Sequence, residues 1–391
     1  MAGIAPAEHA ERRARLLEHA TSEGLAGVVL FDGHYIRYFT GFNFLATERP
    51  VAVAIDAGGA LAAFVPEFEV ERVRAETDFE RIDSYPEYPG EVHPLELLAR
   101  TLADMGIAGE IGADQDGYPG ILGYRGPALS SATGARVRVL ADRIESMLAR
   151  KSAGEVALIR ESGKWCAVAH RLLQQSSVPG ATEAEASLRA GHEATLQMLG
   201  ALGESGGQAS SDGASAGYRG QIGLRSAWAH AVTHNIRFAE GDVLVTETSA
   251  PIWGYNAELE RAMVIGRPTG EMRRLFDHTL AAQEVAFAAL RPGVTCADVD
   301  NAVLRYFEEN DLLPYWRQHV GHAIGLRNHE APFLDVGDDT VVEPWMVFTI
   351  EPGLYSEVGG FRHSDTVVVT PDGIELLTDY PRDLESLTIE A

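Results

Sequence analysis

Gly321-His322-Ala323-Ile324-Gly325-Leu326-Arg327-Asn328-His329-Glu330, followed by Thr349-Ile350-Glu351-Pro352-Gly353, is the stretch on which the reading of this chain turns. It sets two imidazoles seven positions apart and then a carboxylate, Glu351, at the end of the apolar run Met346-Val347-Phe348-Thr349-Ile350. Pro352-Gly353 stops that strand directly behind the carboxylate. Working outward, Val243, Val245 and Glu247 alternate with Leu244, Thr246 and Thr248, which puts Glu247 on the face of the two valines. A carboxylate on an apolar face needs a partner, a ligand or a task. Glu258 and Glu260 share one face of a later strand, with Leu259 and Arg261 on the other. Together with His230, these residues point to a convergent site that handles protons or ions.

Composition narrows the setting. A chain of 391 residues buries a large core, and its length favours two domains. Net charge is 32 − 57 = −25, which argues against nucleic acid and anionic membranes as partners. Lys151 and Lys164 are the only lysines. An acidic, lysine-poor chain suits a salt-loving host, although high-GC coding gives the same preference for arginine. No apolar run reaches the roughly 18 residues of a membrane span, and residues 1–11 lack the basic and apolar regions of a secretory signal. Cys166 and Cys296, the only cysteines, fit a reducing compartment without a disulfide framework. The expectation is a cytoplasmic protein.

Along the chain, a helical pattern over 7–25 leads to a buried strand at 28–31, and 51–55 with 61–65 reads as a hairpin about Asp56-Ala57-Gly58-Gly59. Helical patterns at 68–76 and 94–105 complete an α/β unit, and 143–151 reads as a connector into a helix over 155–175. An internal echo follows. Pro179-Gly180-Ala181-Thr182-Glu183-Ala184-Glu185 recurs in pattern as Pro292-Gly293-Val294-Thr295-Cys296-Ala297-Asp298. In each, the threonine can cap a helix and the acid three residues on suits its first turn. Two helix pairs feeding strands fit a domain of two similar halves. The Gly- and Ser-rich stretch 203–220 reads either as a mobile lid or as a plain surface loop.

The motifs quoted above, in this order, resemble the pita-bread peptidase family that holds aminopeptidase P, prolidase, methionine aminopeptidase and creatinase. The resemblance covers nearly the whole chain. It implies an α/β (α+β) architecture, with a creatinase-type N-terminal domain over 1–145 and a pita-bread catalytic domain of two pseudo-symmetric halves over 146–391. In the family's peptidases two Mn, Co or Zn ions are held by two aspartates, a histidine and two glutamates. The matching positions here are Glu247, Glu258, His322, Glu351 and Ser364.

Three of those five depart from the pattern. Glu247 and Glu258 replace aspartates and add a methylene of reach, where metal–ligand distances tolerate only about 0.2 Å. Ser364 offers a neutral hydroxyl in place of a bridging carboxylate. The expected cofactor is therefore none or a single divalent ion, Mn or Zn, on Glu247, Glu258, His322 and Glu351. The proton-handling positions are kept. His230 and His329 match active-site histidines of the family, and Arg362 matches the arginine before the last ligand. Gln318 stands where the peptidases often carry a histidine, with His319 shifted by one.

Two branches of the family work without metals, and the chain resembles each in part. Creatinase carries an Ala-Leu-Glu-Arg like Glu258-Leu259-Glu260-Arg261, which makes Glu260 a candidate grip for a cationic group. Ectoine hydrolases carry a glutamate at the position of Glu247, suited to covalent attack. The resemblance thus implies a hydrolase of a C–N bond in a small molecule or dipeptide. His230, His329, Glu351, Glu247 and Arg362 would be catalytic, and Glu258, Glu260 and His322 would bind substrate. The alternatives are a metal-dependent Xaa-Pro dipeptidase or aminopeptidase P, and a non-catalytic binding module. By resemblance, the chain forms a homodimer.

Overall fold

The computed structural model describes residues 3–203 and 212–391. They form two compact units, Ile4–Met147 and Leu148–Ala391.

In the first unit, strands β1 (Gly27–Leu30), β2 (Ala52–Asp56), β3 (Leu61–Pro66), β4 (Arg81–Tyr85), β5 (Glu110–Ala113) and β6 (Arg136–Val139) form one sheet in the order β4-β3-β2-β1-β5-β6. The continuous apolar run of β1 follows from burial of every one of its residues. The expected hairpin is present, β2 and β3 pairing antiparallel with Ile55 opposite Leu61. Asp56 fixes its turn by accepting from the Gly58 and Ala60 N–H groups at 2.8 and 2.9 Å. Helices α1 (Pro6–Ser22), α2 (Gly33–Thr40), α3 (Val70–Glu76), α4 (Pro94–Asp104) and α5 (Leu129–Thr133) connect the strands.

One local expectation fails here. Residues 143–151 are not a connector: α6 (Ala141–Ala149) is helical over most of that range. Leu140, Ile144, Met147 and Leu148 recur at helical spacing and are all buried, which is what drives it.

The second unit rests on two helix pairs, α7 (Ala153–Ser176) with α8 (Glu183–Leu202), and α9 (Gly270–Ala289) with α10 (Cys296–Glu309). The echo in sequence is an echo in structure. Thr182 and Thr295 cap α8 and α10 through capping boxes closed by Glu185 and Asp298.

Among the described residues, an eight-stranded sheet runs in the order β13 (Glu330–Leu334), β12 (Gly321–Ala323), β14 (Val347–Ile350), β17 (Ser364–Thr370), β10 (Glu258–Glu260), β9 (Glu247–Ser249) and β7 (Ser215–Gly217), with β18 (Gly373–Leu376) also paired to β17. Strands from each half flank β17, so the residues of both halves meet there. This is the α/β architecture that the resemblance implied.

Two further readings change. Residues 243–249 are not one strand. β8 (Val243–Val245) belongs to a small sheet with β11 (Ala262–Ile265) and β19 (Thr388–Ile389), whereas β9 belongs to the large one. The switch falls at Thr246, whose hydroxyl accepts from the Arg261 N–H at 2.9 Å and donates to the Arg261 carbonyl at 3.1 Å. Of the stretch 203–220, residues 204–211 lie outside the described residues, and the part that follows carries β7, an ordered strand paired with β9.

Candidate active site

Four strands bring the charged residues together. β10 and β17 lie side by side, with Glu260 opposite Ser364. β14 pairs with β17 on its other edge, and Glu351 follows directly behind β14. β12 packs against β14 and carries His322. Gly321 makes that approach feasible, since a Cβ there would meet the Thr349 carbonyl oxygen at 2.0 Å.

The resulting cluster is buried: Glu258, Glu260, Glu351, His322, Arg362 and Ser364 all lie inside. Donor atoms of Glu258, Glu260 and Glu351 lie within 4.8 Å of one another, as do those of Glu258, His322 and His329. His322 Nε2 stands 3.3 Å from Glu351 Oε1, and the His322 and His329 rings stack at 3.8 Å with 14° between their planes. Arg362 donates to both oxygens of Glu260, through Nε to one and through Nη2 to the other at 2.7 Å. The Ser364 hydroxyl donates to Glu258 Oε1 at 2.8 Å.

These contacts sort the protonation states. Burial lifts the Glu258 carboxyl well above the ordinary range, and the Glu351 and Glu260 charges lift it further. Burial works the same way on Glu351, but the hydrogen-bonded and charged His322, with Arg362, reverses it and holds Glu351 ionised. For His322, burial opposes protonation, yet the Glu351 and Glu258 carboxyls raise it to about 9. His329 is pushed down to about 4 by burial and by its charged neighbour His322. At neutral pH one imidazole of the stack is therefore charged and the other neutral.

Surrounding side chains hold this set in place. Arg261, fully buried, donates to Asp365 Oδ1 at 2.9 Å and to the Ser364 carbonyl at 3.0 Å, tying β10 to β17. Lys151 donates to Glu330 Oε2 at 2.8 Å, and Glu330 Oε1 accepts from the Arg327 N–H at 3.0 Å. The last glutamate of the opening motif thus pins the loop that carries His329. Gln318 donates to the Glu351 carbonyl at 3.1 Å and accepts from Tyr355 at 2.6 Å, and Arg362 donates to that same tyrosine hydroxyl at 3.2 Å.

Not every candidate joins the cluster. His230 is exposed on a turn, with no hydrogen bond or ion pair to the cluster among the described residues. Glu247 sits at its edge, one-third exposed, with the Arg219 Nε 2.5 Å from its Oε2. Arg219 had no motif to mark it. Its position two residues after a short strand that pairs with β9 is legible only once the sheet is known.

The donor set can be tested against the two ions that the resemblance implies. Glu247 belongs to neither group of converging donors, Glu260 is engaged on both oxygens by Arg362, and Ser364 offers no charge. The donor set suits one divalent ion, at Glu258, His322 and His329, better than a pair.

Comparison with known proteins agrees with this architecture. Residues 157–371 match the model of metallopeptidase family M24, and residues 12–174 match the creatinase/prolidase N-terminal domain. The protein named "Probable dipeptidase PepE" of Mycobacterium tuberculosis is 29% identical, with 97% of this chain and 96% of that one covered. The Xaa-Pro dipeptidase of Pyrococcus furiosus is 36% identical over 163 residues, 41% of this chain and 47% of its own. The crystal structure of dipeptidase PepE from Mycobacterium ulcerans superposes with a TM-score of 0.82 at 24% identity, over 100% of both chains, a likeness of fold. The family match spans more than half of the sequence and includes every residue of the cluster: this chain belongs to metallopeptidase family M24 and is a hydrolase of that family.

Proposed function

We propose that the enzyme hydrolyses a C–N bond in a dipeptide-sized substrate, using the Glu258–Glu260–Glu351 and His322–His329 cluster. The observation that carries this reading is the convergence of three buried carboxylates, and of one of them, Glu258, with the buried His322 and the exposed His329. A purely structural core has little use for such a set. The likeness to a dipeptidase over nearly the full length supports dipeptides as the substrate class.

The chain's own residues suffice to describe proton handling. Glu351, ionised beside His322, accepts a proton from the attacking water, whose oxygen bonds to the carbonyl carbon. As the C–N bond breaks, Glu351 returns that proton to the departing nitrogen. Glu258, held neutral, donates a hydrogen bond to the oxygen that gains charge. Glu258, His322 and His329, in their deprotonated forms, would hold a single Mn or Zn ion, which would supply Lewis-acid polarisation of the carbonyl in place of the Glu258 hydrogen bond. His230, exposed and apart from the cluster, enters this scheme only as a group that reaches a bound substrate from the surface.

A second substrate class is supported by one observation. Arginines, not further ligands, balance Glu247 and Glu260, which suits the side-chain chemistry of a guanidino or cyclic amidine hydrolase. The same reading has the enzyme working as a homodimer in the cytoplasm of a salt-rich cell. Light scattering in high potassium chloride tests the dimer.

A substrate panel tests the function. Xaa-Pro dipeptides, other dipeptides, creatine and ectoine are incubated with the enzyme in high salt, and products are read by mass spectrometry. Release of an amino acid from a dipeptide supports the first class, and release from creatine or ectoine alone supports the second. No product from any of them overturns the proposal.

A further inference from the structure

Among the described residues Arg219 is a cation of the site that the family pattern does not account for, and its surroundings show that it is placed there. Its backbone lies at φ +49°, in the left-handed region that residues with a Cβ adopt reluctantly. Both neighbours lock this conformation. Tyr218 is buried, and its hydroxyl is hydrogen-bonded to Ser177. The Gly220 N–H donates to Glu183 Oε1 at 2.6 Å, and a Cβ on Gly220 would meet the Val232 carbonyl oxygen at 2.1 Å. A non-glycine residue held at positive φ between two such anchors is a mark of a constrained functional position.

The side chain serves two carboxylates. Its Nε lies 2.5 Å from Glu247 Oε2 and its Nη2 lies 3.7 Å from Glu260 Oε1. That Glu247 oxygen is buried and accepts no hydrogen bond among the described residues, so the guanidinium is its counter-charge. Glu247 is also the residue that matches a family metal ligand and yet stands outside both groups of converging donors. A fixed monovalent cation thus holds the carboxylate that a second ion would need.

We infer that the Arg219 guanidinium takes the place of one metal ion, as a permanent cation on Glu247 and Glu260, and limits the site to one divalent ion. This rests on the one-ion reading of the site given above. A guanidinium spreads one charge over a planar fork and cannot be lost by deprotonation, which suits it to a permanent place among carboxylates. It also closes Glu247 to a role as nucleophile while the pair persists.

The test is metal binding, read without reference to turnover. Wild type, Arg219→Met and Arg219→Lys are stripped of metal and titrated with manganese chloride by calorimetry, with plasma mass spectrometry of the dialysed protein as the count. Arg219 is 42% exposed, so both variants are expected to fold, and circular dichroism checks that they do. The expected result is at most one ion in wild type and in Arg219→Lys. Arg219→Met should gain a second ion, or bind manganese at least about tenfold more tightly. Two ions in wild type, or no gain in Arg219→Met, would overturn the inference. A failure of the proposed reaction shows up only in the substrate panel and leaves these counts unmoved, so the two claims fall separately.

Discussion

Ser364 donates its hydroxyl hydrogen bond to Glu258 at 2.8 Å, at the position where the family resemblance implies a bridging glutamate. The contact adds no charge, and burial with the Glu351 and Glu260 charges lifts the Glu258 carboxyl well above the ordinary range. Ser364→Glu puts a second carboxyl against the first. Without metal, the urea midpoint of the variant is expected to fall, with a loss of about 3–5 kcal/mol for an unpaired buried charge. Manganese should restore much of that loss by binding the folded form alone. An unchanged midpoint, with and without manganese, would contradict this account of the site.

Lys151 and Glu330 form a buried ion pair at 2.8 Å, with side-chain exposures of 1% and 5%. Lys151→Met leaves the glutamate alone and is expected to destabilise the second unit by about 3–5 kcal/mol. The double variant Lys151→Met/Glu330→Leu should regain most of it, because neither charge is then stranded. Chemical denaturation of the three proteins decides the matter. A double variant as unstable as the single one would show that packing, not charge, governs this contact.

Two buried histidines make the second unit acid-labile. Burial, with Arg261 nearby, pushes His170 down to about 3, and burial with Arg261 and Arg382 holds His363 well below its ordinary range. Among the described residues neither ring nitrogen of His363 has a hydrogen-bond partner. Both groups are neutral in the fold, so their contribution is fully present above the unfolded value of about 6.5. Below it the unfolded chain binds protons that the native state refuses. Stability should therefore fall with pH by about 1.4 kcal/mol per unit for each histidine. Urea midpoints between about pH 6.5 and 5 should show this slope, and His170→Gln should make it shallower. An identical slope in the variant would refute the assignment.

The net charge of −25 predicts a salt response. Repulsion among surface carboxylates opposes the compact state, and added salt screens it within about 10 Å at 0.1 M. The melting temperature should rise as potassium chloride is increased from low to molar concentrations. A flat or falling curve would remove the argument from charge.

Much of this molecule could be read in the order of its residues. Thr182 and Thr295 signalled two helix starts because a cap acts locally, through a hydroxyl and an acid three positions on. Glu258 and Glu260 were legible because alternation fixes the face that a strand residue takes, Glu351 because Pro352-Gly353 ends an apolar run beside it, and His322 from its motif. The failures were of another kind. At Thr246 the chain leaves one sheet for another, a choice made by hydrogen bonds to Arg261, fifteen residues away. Helix α6 went unread because its apolar spacing is short, although Leu140, Ile144 and Met147 carried the signal. Arg219 could not be found at all. Its partners, Glu247 and Glu260, come to it only through the pairing of β7 with β9 and of β9 with β10.

The central claim is that the carboxylate–imidazole cluster breaks a C–N bond with Glu351 as its proton acceptor. The most direct measurement is the rate of amino-acid release from the best substrate of the panel, for wild type and Glu351→Gln side by side in high salt. The amide keeps size and shape and removes the base together with its charge beside His322. The account predicts clear turnover by wild type and a loss of at least about 100-fold in the variant, with KM little changed. Equal rates in the two proteins would contradict it.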